Sequence, residues 1–380
     1  MNIFIWAPFI QKVGTTTNVE NLINCLLKFS KRNTLKIDLV NVFGEWDDYK
    51  FEDSRVNKIP LLNIKFLKKN KKNGFLKSRF YTILIIIFSI IPLIKLLNKK
   101  KYDFLFVHLI TSLPIFLTRF ISKNSKLILS IAGFPKLTFL RSFFWKFFQR
   151  NIFKVICPSF ETKKLLIEKK IFDEKKLSVI KDPHINVKKI IKKKNIEIDK
   201  EFISHKNIIS IGRLTKQKNY IFLLEAFKKV LSLKKDLHLT IIGEGEERKL
   251  IENKIKDLEI SNSVTLKGHQ NNVYKYLNKS LCYFSTSLWE GPDLAMLDAA
   301  FLNVPIICSD CKSGRKEFID NNRRGYIFKT NDMNSLMQAF EIFFSEDAIN
   351  IKKKLIESKK EVKNFTQFRY YSNLIKILNC

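Results

Sequence analysis

The segment at residues 208–230, IISIGRLTKQKNYIFLLEAFKKV, joins an apolar β-branched run, a glycine and an amphipathic stretch. The run Ile208–Ile211 has the composition of a buried strand, and Gly212 follows it as the start of a turn. In Tyr220–Leu233, apolar side chains recur every three or four residues and lysines fall on the opposite face, as in a helix packed on one side. A strand, a glycine turn and a helix in this order predict one unit of a parallel α/β sheet.

The same alternation of short apolar runs and helix-length segments fills both halves of the chain. Further strands are predicted at Ile3–Ala7, Ile37–Val42, Ile64–Leu67, Phe104–Leu109, Leu127–Ile131, Val155–Cys157, Leu177–Ile180, Leu239–Ile242, Val264–Leu266, Tyr283–Ser285, Pro305–Cys308 and Tyr326–Phe328. The pattern predicts two doubly wound, Rossmann-like α/β domains facing each other across a cleft, with ligands at the carboxyl ends of the strands.

Domain boundaries follow from a polar, charged segment without a core pattern at residues 187–200, which we interpret as a linker. The N-terminal domain is then predicted at residues 1–186 and the C-terminal domain at 201–355. Residues 356–380 are predicted to form a C-terminal helix that packs back toward the N-terminal domain.

The formal net charge of +33 indicates an anionic partner, which could be phospholipid head groups, a phosphorylated substrate or nucleic acid. A general compositional bias toward lysine is the alternative explanation. The 34 phenylalanines lie in apolar runs and do not alternate with lysine as in a stacking platform for bases. We therefore expect an anionic membrane surface rather than nucleic acid.

Two apolar segments indicate where in the cell the protein is expected. Residues 1–8 have no basic region and a short apolar run, which predicts a first strand rather than a signal peptide. The segment Phe80–Leu97 is nearly continuously apolar, has basic residues on both sides, and is interrupted by Pro92 and Lys95. A helix on the sheet with one face at the membrane is the favoured interpretation, and a fully buried helix or a true span are the alternatives. The chain is thus predicted to be cytoplasmic and peripheral on the inner membrane face.

The cysteines indicate a reducing compartment and no metal site. Cys308 and Cys311 form a CxxC, but no second pair or nearby histidine completes a zinc site. Several of the six cysteines lie in apolar runs, where a thiol packs as a small hydrophobe.

Two carboxylates mark a candidate phosphate site in residues 288–300, LWEGPDLAMLDAA. A strand precedes this segment and a helix is predicted to begin near Asp293, so the amides of Asp293, Leu294 and Ala295 would be free to bind a phosphate. Glu290 lies before the helix and Asp298 one turn into it, and carboxylates accept hydrogen bonds from vicinal diols. Paired acids are also common at exposed helix starts, where they favour the helix dipole.

A second candidate lies after the strand Ile208–Ile211, where Arg213 and Lys218 leave the carboxyl end of the strand beside Gly212. Two cations in this position can neutralise a departing diphosphate. A solvated basic loop is the alternative in a chain so rich in lysine.

Together these segments resemble retaining glycosyltransferase family 4, which has the GT-B fold and builds lipopolysaccharide, O-antigen or capsular glycans. The resemblance runs through residues 208–230, then LTIIGEGEERKLIENKI, VTLKGHQNNVYKYL, STSLWEGPDLAMLDAAFLNVPIICSD and RRGYIF, in the order of the family. The first half matches more loosely, through KYDFLFVHL, VICPSFETKKLL and KLSVIKDP.

The resemblance implies roles for residues of the second half. Arg213 and Lys218 match the pair that grips the donor diphosphate. Glu290 matches the first acid of an E-x7-E motif, which holds hydroxyls of the transferred sugar, and Asp298 matches the second acid, which binds the ribose. Asp298 is shorter than the usual glutamate by one methylene, which puts the ribose contact in doubt. Gly268 and His269 fall where the base docks.

In the first half, the resemblance places Gly14, Thr15 and Thr16 in a glycine-rich loop near the acceptor and the donor phosphates, before a helix predicted to open at Asn18. A plain turn is the alternative. The family often carries a histidine where this chain has Ala132. His108 is the nearest substitute, and a buried structural histidine is the alternative.

The resemblance implies transfer of a sugar, with retention of configuration, from a nucleoside diphosphate sugar to a lipid-linked glycan acceptor, without a metal or other cofactor. Two rivals stay open. One is a nucleotide-sugar epimerase or an inverting transferase on the same fold, which would need a positioned base. The other is a basic membrane- or nucleic-acid-binding protein with a decayed active site.

Overall fold

A computed structural model describes residues 1–10, 14–31, 35–62, 75–121, 125–133, 135, 137–290, 293–311 and 314–379. Its contacts divide the chain into two compact units. The first consists of Met1–Pro183 and Tyr370–Cys380, and the second of His184–Arg369. Each unit holds one parallel sheet with helices, as the sequence predicts.

The sheet of the first unit has seven parallel strands in the order β3-β2-β1-β4-β5-β6-β7. The strands are β1 (Asn2–Trp6), β2 (Lys36–Asn41), β3 (Val56–Pro60), β4 (Phe104–Val107), β5 (Lys126–Ser130), β6 (Lys154–Cys157) and β7 (Leu177–Val179). The helices are α1 (Gly14–Phe29), α2 (Phe75–Lys99), α3 (Ser112–Leu117), α4 (Phe139–Phe148) and α5 (Phe160–Glu168), together with a C-terminal helix, Gln367–Leu378. The central strands are almost wholly buried because helices cover both faces of the sheet.

The sheet of the second unit has six parallel strands in the order β10-β9-β8-β11-β12-β13. The strands are β8 (Lys206–Ile211), β9 (Leu237–Ile242), β10 (Val264–Leu266), β11 (Cys282–Ser285), β12 (Ile306–Ser309) and β13 (Tyr326–Phe328). The helices are α6 (Val187–Lys194), α7 (Lys200–Ile203), α8 (Tyr220–Leu233), α9 (Arg248–Asp257), α10 (Tyr274–Leu277), α11 (Leu294–Phe301), α12 (Arg315–Ile319), α13 (Met333–Ser345) and α14 (Ala348–Val362), and the helix Gln367–Leu378 is α15.

Each sheet reverses its strand order at one place. The chain runs outward from β1 to β3 and returns to lay β4 on the other side of β1. In the second unit, β11 returns beside β8 in the same way. In open α/β sheets, ligands bind outside the carboxyl ends of the two strands that flank such a reversal. The residues that follow β1, β4, β8 and β11 are therefore the ones to compare with the predicted site.

Three details differ from the sequence-based predictions. The edge strand β3 was missed because Val56–Pro60 is polar and half-exposed, and the strand predicted at Ile64–Leu67 lies outside the described residues. Helix α1 begins at Gly14 rather than Asn18, since Thr16 and Val19 already pack into the unit. The predicted linker at 187–200 contains the helix α6, which lies in the second unit and buries Ile190.

The C-terminal residues return to the first unit. Tyr370, Leu374 and Ile377 of α15 are buried in the same apolar cluster as Ile3 and Ile5 of β1. The chain thus passes between the two units twice, at residues 183–184 and 369–370.

Helix α2 runs through Pro92 without a break and carries two different faces. Tyr81, Ile85 and Leu93 are buried in the core cluster of the first unit. The opposite face exposes large apolar side chains: Phe80, Ile83, Ile87, Phe88 and Ile91. Among the described residues, α2 is the one helix that is long and apolar enough to cross a membrane. Its exposed face shows that the helix is not fully buried, and the core contacts of Tyr81, Ile85 and Leu93 show that its other face packs against the protein.

Candidate active site

The loops that follow β8 and β11 are bonded to each other. The Leu288 amide donates to the Gln217 carbonyl at 2.8 Å, and the Thr286 hydroxyl donates to the carbonyls of Lys218 and Asn219 at 3.1 and 3.0 Å. Because these loops leave the two strands at the reversal, they bring residues that are about seventy positions apart in sequence into one cluster.

Glu290 and Lys218, both predicted site residues, form an ion pair in this cluster. The Lys218 Nζ lies 2.6 Å from Glu290 Oε1, and the Gln217 side-chain amide donates to Glu290 Oε2 at 3.3 Å. Both groups are largely buried, with side-chain exposures of 16% and 7%. Gly212 leaves the space for this lysine, since a Cβ at that position would lie 2.5 Å from Lys218 Cε.

Arg213 presents a different environment from Lys218. Its side chain is exposed, and no salt bridge or hydrogen bond joins it to another of the described residues. Of these two predicted cations, Arg213 is free in solvent and Lys218 is held by a carboxylate.

Helix α11 begins after Asp293, at the candidate phosphate site predicted from the sequence. The Asp293 carboxylate caps the helix by accepting the Met296 amide at 3.3 Å, and it is buried. Leu294 and Ala295 are partly exposed. The Asp293 side chain thus points inward, where it caps the helix, and the next two residues of the candidate phosphate site remain accessible.

Asp298 lies one turn into α11 and already has a partner. The Nε2 of His184 lies 2.9 Å from Asp298 Oδ1, and both side chains are mostly buried. Burial, and secondarily the charge of Asp298, raises the pKa of the neighbouring Tyr274 phenol. The sequence analysis did not single out His184, which precedes Asp298 by more than a hundred residues.

The two residues predicted at the base lie after β10, two strands from β8. Gly268 has a φ of +66°, which favours glycine, and its carbonyl accepts the Gly243 amide at 2.9 Å. His269 is exposed.

The most heavily bonded side chain of the site, Arg315, was not predicted. Its guanidinium is fully buried and donates from Nε to Asp293 at 3.0 Å, from Nη1 to Ser309 at 2.9 Å and from Nη2 to Ser285 at 2.6 Å. Burial alone would raise the pKa of Asp293, but Arg315 and Lys218 outweigh burial and hold it below its ordinary value. A sequence gives no sign that one arginine among 69 basic residues is buried, because its partners lie on other strands and loops.

The predicted residues of the first unit follow β1 and β4, at the other reversal. Gly14 opens α1, Thr15 is half-buried, and Thr16 is buried and lies 3.4 Å from the donating Tyr49 hydroxyl. His108 directly follows β4, and its amide donates to the Trp6 carbonyl at 3.0 Å.

His108 borders a cavity of about 530 Å³ in the first unit. Its Nε2 is buried and has no hydrogen-bond partner among the described residues. The cavity is walled by Ile86 of α2, by Phe144 and Trp145 of α4, and by Ala132 after β5. The polar residues Thr111, Ser112, Thr138 and Arg141 also line it. The cavity therefore combines an apolar wall with hydrogen-bonding groups.

We expect the buried His108 to make the protein sensitive to acid. Burial lowers the pKa of His108 to about 4, below the ordinary value of about 6.5 that it has when unfolded. The unfolded chain then takes up the proton first, so stability present above about pH 6.5 is lost as the pH falls toward 4. Between about pH 7.5 and pH 4.5, His108→Gln should lose about 2–3 kcal/mol less unfolding free energy than the unmodified chain.

Urea unfolding at the two pH values measures this difference. His269→Gln is the matched control, since that side chain is exposed and should leave the pH dependence unchanged. Equal pH dependence in His108→Gln and the unmodified chain would show that His108 takes up its proton as readily when folded.

Among the described residues, five cysteines are free and buried. Cys308 and Cys311 are buried, and burial raises the pKa of both thiols, to about 12 for Cys308. Within the described ranges, no group of three or more His, Cys, Asp or Glu side chains could hold a metal ion.

Comparison with known families identifies the class of the second unit. Residues 188–362 match the model of the family described as "Glycosyl transferases group 1". The chain is 29% identical over 248 residues to an uncharacterized glycosyltransferase of Methanocaldococcus jannaschii, covering 60% of each chain. The predicted resemblance to this enzyme class is therefore confirmed at the level of the family.

Two of the relatives are named for a specific transferase activity. The chain is 30% identical, over 46% of its length and 47% of the other, to N-acetylgalactosamine-N,N'-diacetylbacillosaminyl-diphospho-undecaprenol 4-alpha-N-acetylgalactosaminyltransferase of Campylobacter jejuni. It is 28% identical to UDP-Gal:alpha-D-GlcNAc-diphosphoundecaprenol alpha-1,3-galactosyltransferase of Escherichia coli, over 71% of this chain and 74% of the other. The chain spans about half the length of several curated relatives that it matches. The matched share of the relative's own length is between 40% and 60% for three of them.

Solved structures show the same fold. HepE of Anabaena in complex with UDP has a TM-score of 0.75 at 11% identity and covers 100% of both chains. A glycosyltransferase of Rickettsia africae has a TM-score of 0.73 at 17% identity, over 100% of this chain and 97% of the other. The predicted GT-B fold, with two parallel α/β sheets, is thereby confirmed.

Proposed function

We propose that the chain transfers a sugar, with retention of configuration, from a nucleoside diphosphate sugar to a lipid-linked glycan acceptor. The observation that carries this proposal is the cluster of Lys218, Glu290 and the start of α11 at the strand reversal of the second unit. Cations, a hydroxyl-binding carboxylate and a helix start within one cluster are the groups that a nucleotide sugar requires.

On the donor side, Arg213 and Lys218 bind the diphosphate and stabilise it as it leaves. The bond between the anomeric carbon and the phosphate oxygen breaks, and the acceptor oxygen bonds to that carbon on the same face. The acceptor's proton passes to the departing phosphate oxygen. Glu290 holds sugar hydroxyls and Asp298, with His184, faces the ribose, so the protein supplies position and charge rather than a nucleophile.

On the acceptor side, the cavity beside His108 fits a molecule with both polar and apolar parts. Burial keeps His108 neutral at pH 7, so its unpartnered Nε2 can accept or donate one hydrogen bond to a sugar hydroxyl. Gly14, Thr15 and Thr16 follow the neighbouring strand and are assigned to the same acceptor region.

The relatives support the substrate class and the stereochemistry. Both activities named above use acceptors linked to undecaprenol through a diphosphate, and both form alpha linkages. One uses UDP-galactose, and HepE binds UDP. Since common UDP sugars carry an alpha-linked phosphate, an alpha product corresponds to retention.

The test is release of nucleotide from a panel of UDP and GDP sugars, with undecaprenyl-diphosphate-linked glycans as acceptors. We expect release that depends on the acceptor, an alpha-linked product, and little change on adding EDTA. An inverted product would support an inverting transferase, and a changed sugar without an acceptor would support an epimerase. Activity lost with EDTA and restored by magnesium or manganese would contradict the metal-independent chemistry.

We also propose that the first unit binds the cytoplasmic face of a membrane. Besides the apolar face of α2, helix α4 exposes Phe139, Phe143 and Phe147, whose rings follow one another at 6.4 and 6.1 Å. Arg119 lies over the Phe147 ring at 5.6 Å, so a cation borders this aromatic row. Helices α2 and α4 both line the cavity assigned above to the acceptor, which supports an acceptor held at the membrane.

This proposal predicts that Phe143→Ser with Phe147→Ser detaches the protein from membranes. Each basic group near an anionic surface contributes about 1 kcal/mol, so charge alone gives weak attachment and the aromatic row should add the rest. Co-sedimentation with anionic vesicles should fall at least fivefold. The unmodified chain should be released by high salt or alkaline carbonate.

The control is Leu250→Ser with Ile349→Ser, two exposed apolar residues of the second unit, which should sediment normally. Protein that leaves the pellet only with detergent would indicate that α2 spans the membrane. Protein that never sediments would indicate that the charge of +33 is compositional.

A further inference from the structure

Four charged side chains form a closed, neutral cluster at the donor site. Lys218 pairs with Glu290 at 2.6 Å, and the Arg315 Nη2 lies 3.6 Å from the same Glu290 oxygen. Arg315 also pairs with Asp293, through Nε at 3.0 Å and through Nη2. The side-chain exposures of Lys218, Glu290, Asp293 and Arg315 are 16%, 7%, 1% and 0%. Two cations therefore balance two carboxylates in a space that water scarcely reaches.

Donor binding, as proposed above, disturbs this balance. Lys218 must share its single positive charge between Glu290 and a diphosphate that carries negative charge of its own. A buried carboxylate that loses its counter-ion becomes costly, because burial removes the water that would compensate it. The site then needs a second cation that does not move toward the donor.

Arg315 has the properties of that cation. Hydrogen bonds to Ser285, Ser309 and Asp293 hold its guanidinium, so it cannot turn toward a ligand. It is wholly buried, so it does not touch the donor itself. Its proximity to Glu290 gives it an indirect route to the reaction.

We propose that Arg315 is a positioning residue that compensates the charge of Glu290 when Lys218 turns to the donor diphosphate. Asp293 fixes Arg315 and keeps the cluster neutral before the donor arrives. This inference rests on the proposed function of Glu290 and Lys218. A purely structural role, in which the pair only fastens the start of α11 to β12, is the alternative.

The experiment is a double-mutant cycle read by calorimetric binding of UDP. One arm is the paired variant Asp293→Asn with Arg315→Met, which removes both buried charges. The asparagine still offers a side-chain oxygen to accept the Met296 amide and cap α11. The other arm is Glu290→Gln, and the third protein combines all three changes. Circular dichroism and thermal melting establish that each variant is folded.

We expect the paired variant to bind UDP at least tenfold more weakly than the unmodified chain. Glu290→Gln should bind UDP as tightly or more tightly, because Lys218 is no longer held by a carboxylate. In the Glu290→Gln background, the paired change should alter UDP affinity by less than twofold. A structural role would weaken UDP binding by the same factor in both backgrounds, and that result would overturn the inference.

Arg315→Lys is the conservative variant and keeps a cation at the position. We expect it to bind UDP within threefold of the unmodified chain. If the paired variant does not fold, Arg315→Gln with Asp293→Asn, which also removes both charges, takes its place in the cycle. A chain that binds neither UDP nor GDP would overturn the proposed function and this inference with it. Normal nucleotide binding and acceptor-dependent release, without coupling between Arg315 and Glu290, would overturn this inference alone.

Discussion

Glu290→Gln is expected to lower the rate of sugar transfer at least a hundredfold without weakening UDP binding. The substitution keeps the shape of the side chain and removes the charge that accepts hydrogen bonds from the transferred sugar. Removing one group that stabilises the transition state typically costs about 10²–10³ in kcat. The effect should fall on kcat more than on KM, since the nucleotide is held by other residues.

Steady-state kinetics with the best donor of the panel measures this effect. Glu252→Gln removes a carboxylate of helix α9 that pairs with Arg248 and should leave transfer within twofold. Because Glu290 is buried, thermal melting must accompany the kinetics. Near-normal turnover of folded Glu290→Gln would show that the donor lies elsewhere.

Arg213→Ala should lower kcat/KM by about a hundredfold and weaken UDP binding about tenfold. Arg213 is exposed and makes no salt bridge to a described residue, so its removal costs little stability. A diphosphate gains charge as the sugar leaves, and the arginine should therefore stabilise the transition state more than the bound substrate.

Lys216→Ala is the matched control for Arg213. Lys216 lies in the same loop, has the same charge and is also exposed. We expect its loss to change kcat/KM less than threefold. Equal losses in Arg213→Ala and Lys216→Ala would mean that the loop attracts anions only through its net charge.

The sequence predicted the parallel sheets well because buried strands are continuous apolar runs. Twelve of the thirteen described strands overlap a predicted run, and β3 was missed because Val56–Pro60 is a polar edge strand. Helix α6 was taken for a linker because a helix with three lysines in its last turn and one buried residue, Ile190, has almost no periodic pattern. Local sequence patterns therefore predict strands and helices that bury several regularly spaced residues. They do not predict an element, such as α6, that buries only one.

The candidate site was predictable to the extent that it follows glycine turns and a spaced pair of acids. Glu290 and Lys218 were found from the sequence, and the structure joins them. Arg315 and His184 were not, because their importance depends on partners from distant strands and loops. The exposed row on α4 was also missed, since phenylalanines in an apolar run look the same whether they face the core or the solvent.

The return of α15 to the first unit sets an order of events on the ribosome. Tyr370, Leu374 and Ile377 complete the apolar cluster around β1, yet 186 residues, His184–Arg369, are synthesised before them. At about 5–20 residues per second, translation of that stretch takes roughly ten to forty seconds. During this interval the first sheet waits with part of its core open, and the core of the second unit, which includes Val362 and Phe365, is completed only at the end of it. We therefore expect a chaperone that binds apolar segments to contact the first unit of nascent chains.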